Sequence, residues 1–160
     1  MLVAIDVETT PIKEGVKPEF VLGVVKPEKG KAKVFYTGSA MWSYILFLGK
    51  KCAKAKKTLT VYAHNHTFDF LQYADLTDNH ISYFCFNPFI ASYKYSFDEL
   101  AKIGRKPKND IPNYSKDVIK FLDSFALFRM SLERLGDMLK MPKSKMPNYI
   151  VEKRSPEFYE

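Results

Sequence analysis

The stretch LVAIDVETT at residues 2–10, set beside LTVYAHNHTFD at residues 59–69, decides how this chain is read. Residues 2–7 form a short apolar run rich in β-branched side chains, which predicts a buried strand that ends before Pro11. Within it, Asp6 and Glu8 are two positions apart, so on a strand they share one face. Two neighbouring carboxylates on an apolar strand repel and resist burial. A divalent cation between them would make the arrangement tolerable, since hard cations prefer oxygen ligands. The plainer alternative is an edge strand with both acids solvated. The second stretch predicts another strand at 59–63, running into a loop at 64–67 and a helix from 68 to about 75. There Asn65 reads as a turn or cap residue, and Asp69 as an acid favoured by the dipole of the first helical turn.

Working outward, residues 20–25 and 33–36 predict two more strands, broken by Pro27 and by the turn at Lys29 and Gly30. Gly38 and Ser39 open a helix over 40–55, whose apolar Met41, Tyr44, Ile45 and Leu48 recur at i, i+3, i+4 and i+7. Its lysine-rich tail (Lys50, Lys51, Lys54, Lys56, Lys57) reads first as a solvated, dipole-stabilised helix end and second as a phosphate track. Residues 93–97 alternate like a strand, while 97–103 could instead make a helical turn. Residues 104–112 and 140–147 read as basic, proline-bearing loops, 118–122 as a strand ending at Asp123 and Ser124, and 131–139 as a helix. Strands, helix, strand, helix and strand in this order predict an α/β domain around a central mixed sheet flanked by helices.

Length and composition bound the function. At 160 residues one domain is expected, or at most one with a small appendage, and it can bury roughly 70% of its unfolded surface. With 25 Lys+Arg against 18 Asp+Glu, the net charge of +7 favours a polyanionic partner, while a surplus of this size also occurs on proteins that never touch nucleic acid. Thirteen Phe and ten Tyr fill a core and offer stacking platforms for unpaired bases. Cys52 and Cys85 lie outside any C-x-x-C pair, which argues against a disulfide framework and a structural zinc site. No signal peptide and no run of eighteen apolar residues is present, so a cytoplasmic protein with no membrane partner is expected. A zinc hydrolase using His64, His66 and His80 fails on spacing, having no H-E-x-x-H-type helix.

Taken together, D-V-E-T-T at 6–10, A-H-N-H-T-F-D at 63–69, L-D-S at 122–124 and S-L-E-R-L-G at 131–136 resemble the 3′–5′ exonuclease domain of protein-primed family-B DNA polymerases, of phage and linear-plasmid type. The first exonuclease motif matches Asp6 to Thr10 and the second His64 to Asp69, with Tyr62 upstream. The family's Ser-Leu single-strand contact has two counterparts, Ser124 followed by Phe125, and Ser131 followed by Leu132. Lys143 stands at the key position of a lysine motif. The similarity spans nearly the whole chain and is loose between about residues 81 and 116.

The resemblance implies a ribonuclease H-like fold and two divalent cations, Mg²⁺ or Mn²⁺, held by Asp6, Glu8 and Asp69. It implies a single-stranded DNA 3′ end as substrate, and a polymerase domain or protein primer as partner. Thr9, Asn65 and Phe68 would hold the terminal nucleotides, with Tyr62, His64, Ser124, Ser131 and Leu132 along the strand path. Lys143 would meet a phosphate or the attacking water. The third motif, with a Tyr and a last metal-binding Asp, would fall just past Glu160, and Tyr159 and Glu160 are imperfectly spaced substitutes. The chain is then either a piece of a longer protein or a short form lacking one ligand, and weak or absent cleavage is expected. A catalytically inactive module of the same fold, binding single-stranded nucleic acid or a protein, is the alternative.

Overall fold

The computed structural model describes residues 1–11, 14–87, 90–97 and 118–141. Strands β1 (Leu2–Thr9), β2 (Phe20–Pro27) and β3 (Lys33–Phe35) are followed by helix α1 (Gly38–Lys54), strand β4 (Leu59–Ala63) and helix α2 (His66–Tyr73). Strands β5 (Ile81–Asn87), β6 (Ile90–Ser96) and β7 (Val118–Asp123) then lead into the short helices α3 (Ser124–Phe128) and α4 (Leu132–Met138). The seven strands form one open sheet in the order β3-β2-β1-β4-β7-β6-β5. β1, β4 and β7 are parallel neighbours, and the remaining pairings are antiparallel. The expected α/β class with a mixed central sheet and packed helices is observed.

Alternation along β1 sorts its side chains. Val3, Ile5 and Val7 are buried, whereas Leu2, Ala4 and Asp6 on the other face are exposed. β1 is flanked by β2 and β4, so it is no edge strand, although Asp6 itself is exposed as the plainer alternative expected. Register carries the buried face across the sheet, pairing Val3 with Val61 and Val61 with Phe121. α1 covers this face with Met41, Trp42, Ile45, Leu48 and Cys52, one side of a 3.6-residue helix. Thr37 caps its start, the Thr37 Oγ1 accepting from the Ala40 N–H at 3.3 Å. Its lysine-rich end is exposed, as a solvated helix terminus should be.

An aromatic cluster joins the helices to the sheet. The Trp42 ring lies 5.6 to 6.1 Å from those of Phe70, Tyr73, Tyr95 and Phe121. Phe70 stacks on Tyr93 at 3.9 Å. β6 confirms the alternating reading of residues 93–96, with Tyr95 buried and Lys94 exposed. Its partner β5 and the short α3 were not anticipated. The run ISYFCFN at 81–87 is apolar without alternation, so its period marks no face. The 97–103 alternative and the basic loop at 104–112 lie largely or wholly outside the described residues, as does most of the 140–147 loop. Among the described residues no helix is long and apolar enough to cross a membrane.

Gly49 lies in the middle of α1, where alanine would ordinarily be favoured by up to about 1 kcal/mol. A methyl group there would strike the Ile119 side chain of β7 and stand 3.0 Å from Phe97. Overpacking typically costs about 1–3 kcal/mol, so the clash wins. Gly49→Ala is expected to lower the thermal midpoint by several degrees, measured by circular dichroism. An unchanged or raised midpoint would show that α1 does not press on β7 at this point.

Candidate functional site

The acids of the two sequence motifs meet at the carboxyl ends of the parallel strands, the edge where open α/β sheets bind ligands. The β1–β4 pairing runs from Leu2 with Thr60 to Ala4 with Tyr62, so residues 6–9 continue past the end of β4. β7 ends level with β4, Asp123 pairing with Ala63. The chain leaves β4 through His64 and Asn65. Asn65 adopts the left-handed conformation (φ 62°, ψ 49°), which asparagine tolerates better than most residues. α2 starts at His66, two residues earlier than expected. Its buried residues are His66, Asp69, Phe70 and Tyr73, at i, i+3, i+4 and i+7. Asp69 therefore occupies the core-facing stripe of an amphipathic helix, and that is why an acid is buried there.

Four acids share this region. Asp6 is exposed and Glu8 half-buried on the sheet face away from α1, while Asp69 and Asp123 are 6% and 4% exposed. Burial, followed by the charges of Asp6, Asp123 and Glu8, pushes the Asp69 carboxyl up to about 8. Oxygen donors of this kind suit Mg²⁺ or Mn²⁺, and a bound cation would relieve the repulsion. Asp6, Glu8 and Asp123 lie within electrostatic reach of Asp69, yet among the described residues no three Asp, Glu, His or Cys groups stand close enough to hold one ion.

Asp123 was missed by the sequence reading. Its Oδ1 accepts two backbone amides, from Asn65 at 2.9 Å and from Phe125 at 2.8 Å. Its Oδ2 is buried with no hydrogen-bond partner among the described residues. The available signal was its place at the end of a strand, immediately before Ser124. Ser124 Oγ lies 3.1 Å from His64 Nδ1 and 3.2 Å from the Ala63 carbonyl. Ser131 instead caps α4, accepting from the Arg134 N–H at 3.2 Å, and Leu132 is exposed beside it. Of the two serine candidates, Ser124 is the one joined to the second motif.

The other expected residues are dispersed. Thr9 closes β1 at a register shift, and its hydroxyl donates to the Thr10 carbonyl at 3.1 Å. Phe68 is half-buried next to Asp69 in α2. Tyr62 faces a groove of about 300 Å³ on the far side of the sheet, lined with Leu2, Ala4, Lys26 and Pro27. His66 is fully buried, its Nε2 3.0 Å from Tyr73 Oη, and burial lowers its pKa to about 3. It is a neutral core residue, while His80 pairs with Asp78 at 2.6 Å, so the three histidines do not form a zinc set. Lys143, Tyr159 and Glu160 lie outside the described residues.

Unfolded, the Asp69 carboxyl ionises near its ordinary 3.8; folded, it keeps its proton up to about 8. Between those values the folded state binds more protons, so Asp69 progressively lowers stability as pH rises through that window. Asp69→Asn is therefore expected to change little near pH 3.5. At pH 8 it should raise stability by a few kcal/mol, read as a thermal midpoint higher by several degrees. A lower midpoint at pH 8 would contradict the electrostatic picture. No protein-family model, curated protein or solved structure matches this chain.

Proposed function

We propose that the protein is a divalent-cation-dependent 3′–5′ exonuclease on single-stranded DNA, of the ribonuclease H-like type, serving a polymerase or its protein primer. One observation carries the reading. Asp6 and Glu8 from one motif and Asp69 from another, about sixty residues apart, come to the same carboxyl edge of neighbouring parallel strands. Nothing in the packing of a simple α/β core calls for that juxtaposition, since each added acid makes the burial of Asp69 harder.

In this reading Asp6, Glu8 and Asp69 would supply oxygen donors to the cations, which when bound supply an activated water and neutralise charge at the scissile phosphate, and the acids would have to draw closer than they stand here to share one ion. Asn65 and Thr9 sit at strand ends beside the acids and would hold the last nucleotides. Phe68 offers a ring for stacking, worth roughly 1–3 kcal/mol per base. His64 and Ser124, joined at 3.1 Å, border the same turn and would guide the strand. Lys143 would serve a phosphate, and the net charge of +7 suits a polyanion.

A second reading is a binding module of the same fold without catalysis. It is favoured by the absence, among the described residues, of any three ligand-type groups close enough to share an ion. Degradation of 5′-labelled single-stranded DNA with Mn²⁺ separates the two. The exonuclease reading expects stepwise shortening that falls by about 100-fold or more in Asp6→Ala, with oligonucleotide binding retained. Equal cleavage by both proteins would remove the metal-site assignment. Binding without cleavage in the wild type that is also indifferent to Mn²⁺ and to Asp6→Ala would favour the module.

A further inference from the structure

We propose that Asp123 and Ser124 form a latch that fixes the β4–α2 turn and selects the tautomer of His64. Two chain segments that are distant in sequence are tied here by hydrogen bonds from adjacent residues. Asp123 Oδ1 bridges the Asn65 and Phe125 amides, joining the turn after β4 to the turn after β7. Asp123 is 4% exposed, so these charge-assisted bonds form where water competes little. Asn65, held by one of them, has the left-handed backbone that the turn requires.

Ser124 completes the latch through its single hydroxyl proton. The Ala63 carbonyl, 3.2 Å from Ser124 Oγ, can only accept, so the proton is donated there. His64 Nδ1, 3.1 Å from the same oxygen, must then carry a hydrogen and donate it. The His64 ring also meets Phe125 edge-on at 5.6 Å, which restricts its rotation. With Nδ1 protonated, neutral His64 leaves Nε2 as a bare acceptor. Such an acceptor takes a hydroxyl or base N–H of a bound strand and disfavours a phosphate oxygen. This last step rests on the nucleic-acid reading above. The latch and the tautomer do not.

Nitrogen-15 spectroscopy of the full chain at pH 8.5, with labelled histidine, tests the claim independently of any cleavage. The chain has three histidines, and His64→Gln assigns the signal of interest. Wild type is expected to show His64 as the Nδ1–H form, and Ser124→Ala to move it toward Nε2–H, the form favoured by free histidine. An Nε2–H form in wild type, or a tautomer unmoved by Ser124→Ala, would overturn the proposal. Amide exchange tests the other half. Asp123→Ala is expected to speed exchange at Asn65 and Phe125 at least about tenfold, the equivalent of one lost hydrogen bond. Asp123→Asn, which keeps an accepting oxygen, is expected to restore much of the protection and also serves if the alanine variant does not fold. Unchanged exchange in Asp123→Ala, or protection in Asp123→Asn no better than in a folded Asp123→Ala, would refute the bridging role.

Discussion

The carboxyl group of Asp69 is held almost out of water within reach of three other acids, and the rest of the site is arranged around that constraint. An isolated buried carboxylate is costly, and neighbouring like charges add to the cost. The fold bears this because α2 is fastened by its other stripe residues. Phe70 and His66 are fully buried, and Tyr73 packs against Trp42 and hydrogen-bonds His66. The aromatic cluster sets the position of α2, and α2 sets the position of Asp69.

The sheet supplies the second half of the arrangement. Parallel pairing of β1, β4 and β7 puts three carboxyl-terminal ends side by side, and the differing strand lengths decide what each end presents. β1 overshoots β4 and carries Asp6 and Glu8 forward on the outer face. β7 stops level with β4, so Asp123 faces inward and takes up the amide of Asn65. The acids therefore approach from both faces of the sheet around the end of β4. This explains how they influence Asp69 together without closing into a cage for one ion among the described residues. On the far face the Tyr62 groove lies beside the amino-terminal half of β1, where Leu2 and Ala4 help to line it.

The histidines illustrate how identical side chains diverge by position. His64 sits at a strand end with a serine partner. His66, two residues on, is the first core residue of a helix and stays neutral because burial opposes its charge. His80 belongs to a surface turn with Asp78, to which its ring nitrogen and backbone N–H both bond. Their spacing already speaks against a metal set. Burial and partners separate them.

Local pattern was enough to assign the β1 faces, the α1 stripe, the β4 and β7 strands and the pairing of Asp6 with Glu8. Each of these depends only on side-chain periodicity within a few residues. The stripe of α2 was legible too, had His66 and Asp69 been counted among core-facing positions. What only the tertiary structure decided was which strand end lies beside which. Non-local pairing alone brings Asp123 to Asn65, joins Ser124 to His64 while Ser131 caps α4, and places the β5–β6 hairpin at the sheet edge. Sequence fixes the face on which a side chain stands because backbone geometry repeats every two or 3.6 residues. It carries no comparable period for contacts between segments sixty residues apart, which are set by the packing of the whole sheet.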